Sequence, residues 1–249
     1  MYKTYHKISG QDSKGQTWVG EDFKDALARC SKETTIHALE FIKQGWNVLE
    51  AGAGTGRWVK FLYHHCNITG IEISDYALKE ARKQGLPVYY GDVENLIYKN
   101  NTFDCVLSFG VVEHFDTPMK ALEEMRRVLK PEGILIVSIP TNNPLRILLV
   151  NHLKTIKRLI GTLMGNQYEF EEWRYTKREF ELYLIASGFT IEKVFVSDCL
   201  EPLNAGLFVD FPFLRGKKNW HLNRLGKIVQ ALLPETWTSS GLIWVCKNN

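Results

Sequence analysis

A chain of 249 residues with 45% hydrophobic and 24% charged residues is long enough for one large α/β domain with insertions and too short for two full ones. Its 31 Lys and Arg stand against 28 Asp and Glu, a net charge of +3, and the bases are scattered rather than gathered, which argues against a nucleic-acid partner. No apolar run approaches the roughly 20 residues of a membrane span, and the polar stretch Met1 to Lys14 lacks a signal-like apolar core, so a cytoplasmic protein acting on a small molecule is expected.

The N-terminal segment 1–44 reads as helical, with Asp22 to Cys30 as a surface helix placing Phe23 and Leu27 on the body. Strands follow at Asn47 to Ala51, Ile68 to Ile73, Val88 to Tyr90, Phe103 to Phe109, Gly133 to Ile139, Phe189 to Ser197 and Leu242 to Lys247. Helical patterns fill the gaps at Thr55 to His65, Tyr76 to Gln84, Pro118 to Leu129 and Lys177 to Ser187. This alternation predicts a doubly wound, mostly parallel sheet with helices on both faces. Lys130-Pro131-Glu132-Gly133 reads as the stop after the third of these helices. Two insertions interrupt the rhythm. Residues 141–172 carry a long helix with an apolar and a basic side, and residues 198–240 mix prolines with aromatics; both are expected to form a substrate lid on one domain spanning 1–249. Five cysteines without C-x-x-C spacing read as packing residues of a reduced compartment.

The most informative stretch is Asn47-Val48-Leu49-Glu50-Ala51-Gly52-Ala53-Gly54-Thr55-Gly56. An apolar strand runs into glycines that let the backbone turn sharply, and the helix beyond presents its open N–H groups to whatever lies above. A dinucleotide fingerprint starting at Gly52 would need a third glycine at position 57, where Arg57 stands. Glu72 follows at the end of the second strand, where a carboxylate can accept two hydrogen bonds from a ribose diol, although a capping role for the next helix is open to it too. Gly91-Asp92-Val93 follows the third strand, and Phe109-Gly110-Val111-Val112-Glu113-His114-Phe115 follows the fourth.

Glu50-x-Gly52-x-Gly54-x-Gly56 resembles motif I of the class I S-adenosylmethionine-dependent methyltransferases. The other segments, at matching order and spacing, are similar to the small-molecule, type 11 branch that includes ubiquinone and menaquinone biosynthesis enzymes. The resemblance is dense from Thr35 to Pro140 and looser from Trp173 to Val196. It implies a Rossmann-like, seven-stranded sheet whose last strand is antiparallel, and S-adenosyl-L-methionine as cofactor. It implies cofactor contacts at Glu50, Gly52, Ala53, Gly54, Gly56, Arg57, Glu72, Ile73, Gly91, Asp92, Val93 and Phe109, and it makes Asp104 a structural acid opening the fourth strand. Tyr5, Trp18 or Arg29 from the N-terminal segment could fold over the site.

Methyl transfer from a sulfonium is an in-line displacement in which the protein orients the reactants and excludes water. His114 is the candidate general base for an acceptor that arrives protonated; the plainer reading is that it fixes the cofactor or a helix start. A metal centre is not expected, because Gly110 stands where some quinone-branch enzymes carry a further acid beside Glu113 and His114. The chain lacks the Asn- or Asp-Pro-Pro-aromatic segment of nucleobase amino-methyltransferases. The acceptor atom is open, as is oligomeric state. Methylation of a quinone- or lipid-like acceptor at a membrane surface, and a catalytically degenerate binding module, stand as alternatives.

Overall fold

A computed structural model describes residues 1–7, 38–144, 146–197, 232–239 and 241–249. In chain order the elements are β1 (Tyr2–Lys7), β2 (Asn47–Ala51), α1 (Arg57–Leu62), β3 (Asn67–Glu72), α2 (Asp75–Lys83), β4 (Val88–Tyr90), β5 (Phe103–Phe109), α3 (Met119–Val128) and β6 (Leu129–Pro140). A π-helical turn (Arg146–Val150) then leads into α4 (Asn151–Leu163), followed by β7 (Tyr168–Arg174), α5 (Lys177–Ala186), β8 (Phe189–Ser197), a short α6 (Glu235–Thr238) and β9 (Gly241–Asn248).

Seven strands form one sheet in the order β4-β3-β2-β5-β6-β9-β8. β9 alone runs against both neighbours; the other pairings are parallel, as expected for a doubly wound methyltransferase-like sheet. The order reverses between β2 and β5, so their carboxyl ends splay apart into the crevice where such sheets bind ligands. The strands at this point are buried on both faces. Val48, Cys105, Leu107 and Ile136 pack with α1 and α2 residues on one side, and Leu49, Val106, Leu135 and Val137 pack with α3 and α5 on the other.

Local chemistry explains the element ends. Ser74 caps α2 by accepting from the Ala77 amide, and Thr176 with Glu179 forms a reciprocal capping box on α5. Asp104 is structural: its carboxylate accepts from the Asn47 amide at 2.9 Å and from Lys130 at 2.7 Å, which ties the amino ends of β2, β5 and β6. The lysine and the amide together hold that carboxyl below the usual carboxylate range against the opposing effect of burial.

Two expectations need correction. The Lys130-Pro131-Glu132-Gly133 stop lies inside β6, because the register between β5 and β6 shifts there and the bulge absorbs Pro131 and the left-handed Glu132 (φ 66°). Segment 1–44 is not helical throughout: Tyr2–Lys7 is a strand. It pairs antiparallel with β7, a strand the sequence pattern did not reveal, in a separate two-stranded sheet. Lys3 stacks its ammonium on the Trp173 ring of that sheet at 4.9 Å. The surface helix expected over Asp22 to Cys30, the possible contacts Trp18 and Arg29, Cys30, Cys199 and most of insertion 198–240 lie outside the described residues. Cys66, Cys105 and Cys246 are buried free thiols, consistent with packing.

Candidate active site

The candidate site lies at the carboxyl ends of β2, β3, β4 and β5. After Ala51 the chain turns through Gly52 (φ 83°), Gly54 (φ 55°) and Gly56 (φ 83°), all in the left-handed region where a side chain is strained. The turn folds onto its neighbour strand, with the Gly52 and Ala53 amides donating to the Ile71 carbonyl at 3.0 and 2.8 Å. A Cβ on Gly52 would meet Cγ2 of Val111 at 2.4 Å. The glycine turn and the loop after β5 are therefore in direct contact, across the point where strand order reverses.

Two glutamates organise the turn from opposite sides. Glu50 is buried on the α1 face and accepts from the Val59 amide at 3.1 Å. Val59 lies in the first turn of α1, whose N-cap, Gly56, has no side chain to offer. Burial pushes the Glu50 carboxyl up to about 8, Arg57 and the Val59 amide oppose that, and Glu72 adds to it. Glu72 reaches the turn from the end of β3: one oxygen accepts from the Gly54 amide at 2.8 Å, the other from the Ile73 and Ser74 amides at 2.9 and 2.8 Å. It thus holds the crevice in shape.

The remaining expected residues stand at or just beyond the ends of β3, β4 and β5, or at the start of α1. Ile73, beside Glu72, leaves 59% of its surface exposed, an apolar face next to an acid. Asp92 is half-buried after Gly91 and accepts from the Glu94 amide at 2.8 Å, while Val93 is buried in the core. Phe109 packs on Trp58 with ring centroids 5.6 Å apart, and the Arg57 guanidinium lies 5.0 Å from the same indole. His114 closes a 3₁₀ turn, Val112–His114, and is exposed. Of Tyr5, only its place in the β1–β7 pairing is described.

One feature of this region could not be read from residue order. Glu113, which precedes the candidate base, is 2% exposed, and its Oε2 has no hydrogen-bond partner. The Tyr175 hydroxyl is likewise buried and unpartnered, on a residue that bridges Thr141 after β6 and gives its carbonyl to the Asn142 amide at 2.7 Å. Burial pushes the Glu113 carboxyl up to about 8; the charge of Glu172 adds to this, and its own backbone amide and Arg174 oppose it. In an unfolded chain that carboxyl loses its proton near 4.5, so folding takes up a proton between about 4.5 and about 8. The stabilisation is complete below that window and lost as pH rises through it. The Tm of the protein should accordingly fall from about 4.5 to about 8, and Glu113→Gln, which keeps the shape without the proton, should give a flatter curve by thermal denaturation. Parallel curves would remove Glu113 as a source of the dependence; Glu50 titrates in the same sense and leaves a residual slope.

Residues 49–137 match the family described as a methyltransferase domain. Over 185 residues the chain is 31% identical to an uncharacterised protein of Methanocaldococcus jannaschii, covering 68% of this chain and 72% of that one. The chain belongs to the class I S-adenosylmethionine-dependent methyltransferases, in their type 11 branch. A demethylmenaquinone methyltransferase of Staphylococcus aureus is 29% identical over 145 residues, covering 53% of this chain and 60% of that enzyme. Among solved structures, the methyltransferase resembles a Haloferax volcanii protein described as a putative methyltransferase in complex with the Trm112 methyltransferase activator, at a TM-score of 0.65, 17% identity and coverage of 96% and 99% of the two chains. Among the first curated relatives the matched share of their own length runs from 22% to 72%.

The residues present fit S-adenosylmethionine. A turn with three left-handed glycines carries no Cβ at positions 52, 54 and 56, an acid stands at the end of β3 with an exposed apolar neighbour, and a second acid, Asp92, follows β4. No helix among the described residues is long and apolar enough to cross a membrane.

Proposed function

We propose that this methyltransferase transfers a methyl group to a small organic acceptor bound over the carboxyl ends of β2, β5 and β6. The observation that carries the reading is the hydrogen bond from the Gly54 amide to Glu72, because it places the glycine turn and the acid of β3 around one crevice. When bound, S-adenosylmethionine supplies an activated methyl group on sulfur, ready for in-line displacement by a nucleophile. The chain's residues supply position. Glu72 accepts from a ribose diol with the lone pairs its backbone donors leave, Ile73 and Val93 flank the adenine, and Asp92 reads its amino group. Glu50, Gly52, Ala53, Gly54, Gly56 and Arg57 shape or face the methionine arm, and Gly91 and Phe109 close the sides of the pocket. Residues 141–172 and 198–240 cover the acceptor and exclude water.

His114 takes the proton from an acceptor hydroxyl or ammonium at an imidazole nitrogen. His114→Ala accordingly lowers kcat by roughly 10² to 10⁴-fold, while affinity for S-adenosylhomocysteine stays unchanged. Near-normal turnover across neutral pH overturns the assignment. The reading as a whole is tested by a thermal shift with S-adenosylhomocysteine, which raises Tm in proportion to occupancy for a working site; a flat response at millimolar ligand favours a degenerate binding module.

A second reading is favoured by α4, whose apolar side chains are exposed: the acceptor is quinone- or lipid-like, as is the substrate named for the Staphylococcus aureus relative. A protein activator of the kind named in the Haloferax volcanii complex is a further proposal for this chain, and co-purification from the native host tests it.

A further inference from the structure

The loop after β5 closes over its own acid. Glu113 folds back toward the start of the loop, where its Oε1 lies 3.7 Å from the position a Cβ would take on Gly110. It is 2% exposed, and its Oε2 has no hydrogen-bond partner among the described residues. On one side the 3₁₀ turn Val112–His114 packs against β7, with Val112 in the same buried cluster as Tyr175 and Trp173 packed on that cluster. On the other side Val111 meets the glycine turn, since a Cβ on Gly52 would fall 2.4 Å from its Cγ2. Gly110, left-handed at φ 72°, gives the loop a joint at its start. One acid thus lies beneath the segment that joins the cofactor turn to the β1–β7 sheet.

The charged groups around it offer an ionised Glu113 little relief. β7 supplies Glu172 and Arg174, which are joined to each other at 2.5 Å. Next along the chain is Tyr175, whose proton is held by burial first and then by Tyr183, Glu113, Glu179 and Asp116. His114 follows Glu113 directly and is exposed, and the glycine turn from Ala51 to Gly56 carries no charged side chain. A carboxylate kept from water with one oxygen unpartnered is strongly unfavourable. The loop as it lies therefore needs Glu113 in its protonated form. The carboxyl's rise to about 8, caused first by burial and increased by Glu172 against its own amide and Arg174, agrees with this.

We propose that Glu113 is a proton-operated latch on the cofactor site: with its proton the carboxyl stays under the loop and keeps Val111 on the glycine turn, and without it the carboxylate turns out to water and the loop lifts. The latch needs only the cofactor site and no particular acceptor. In the lifted loop the carboxyl is hydrated and returns to its ordinary value of 4.5, so closing the loop takes up a proton between about 4.5 and about 8. Closure is fully favoured below that window and progressively less favoured as pH rises through it. A ligand that binds the closed turn selects the closed loop, and its affinity follows the same course.

Calorimetric titration of the full chain with S-adenosylhomocysteine across the window from about 4.5 to about 8 tests this. The wild type is expected to lose affinity as pH rises, by no more than about tenfold per pH unit, the limit for one proton. It should also take up protons on binding, seen as a binding heat that differs between phosphate and Tris buffers at one pH. Glu113→Gln keeps the shape and has no proton to lose, so its affinity should stay at the wild type's low-pH level, apart from any slope that Glu50 contributes to both proteins. Glu172→Gln, placed outside the loop, should flatten the wild-type curve in the same direction, because it removes a charge that opposes ionisation of Glu113 and releases Arg174 toward it; it decides the matter where Glu113→Gln does not fold. Curves for the variants that run parallel to the wild type's, or equal heats for the wild type in the two buffers, overturn the latch. A wild type that binds no S-adenosylhomocysteine at any pH removes the cofactor site itself, whereas binding without pH dependence removes the latch alone.

Discussion

Gly52→Val is expected to eliminate the thermal shift given by S-adenosylhomocysteine at saturating ligand. Two costs act together. Valine, β-branched, is strained at φ 83°, which costs about 1–3 kcal/mol, and its Cβ would sit 2.4 Å from Cγ2 of Val111, an overlap that moves the loop after β5 at a further cost of about 1–3 kcal/mol. Either movement opens the contact that brings the glycine turn to that loop. Gly45→Val is the matching control, because Gly45 has the same handedness (φ 77°) with nothing within 4 Å of its Cβ position. It should lower Tm by the strain alone and leave the ligand-induced shift intact. If Gly52→Val binds S-adenosylhomocysteine with wild-type affinity, the turn is not the floor of the cofactor site.

Glu72→Ala should weaken S-adenosylhomocysteine roughly 5- to 150-fold, the equivalent of about 1–3 kcal/mol for a lost charge-assisted pair, measured by calorimetric titration. It should also lower Tm, because the Gly54 amide, whose bond to Glu72 is buried, and the Ile73 and Ser74 amides lose their acceptor. The two readouts separate two roles. A fall in Tm with unchanged affinity would confine Glu72 to fastening the loops and leave the ribose to another group. Glu72→Gln should rescue only in part, since an amide nitrogen in place of one carboxylate oxygen would face a backbone donor.

Much of this site was legible because its signals are local. The three glycines spaced by two, the acid closing β3 and the Gly91-Asp92 pair each sit at the end of a short apolar run. A strand end in a parallel sheet is also a ligand-binding position. The structural role of Asp104 was implied by the family resemblance, and the Asn47 amide and Lys130 are the partners that hold it. The Lys130-Pro131-Glu132-Gly133 segment misled because a bulge and a helix stop use the same residues, and only pairing with β5 separates them.

What stayed hidden depended on contacts between distant parts of the chain. β1 and β7 are short and strongly polar, and each becomes a strand only because the other, more than 160 residues away, satisfies its backbone. The burial of Glu113 has no sequence signature, since glutamate at that spacing sits on a surface as readily as under a loop. The amphipathic pattern of α4 was plain in its residues, but its direction was not: periodicity shows that a helix has two unlike sides, and only its neighbours decide which side meets the protein. Sequence alone determined the sheet, the cofactor turn and the family, because these rest on residues adjacent along the chain. The tertiary structure decided which carboxyls lose their water and which way the greasy helix faces, because desolvation and orientation are set by groups the chain brings together only on folding.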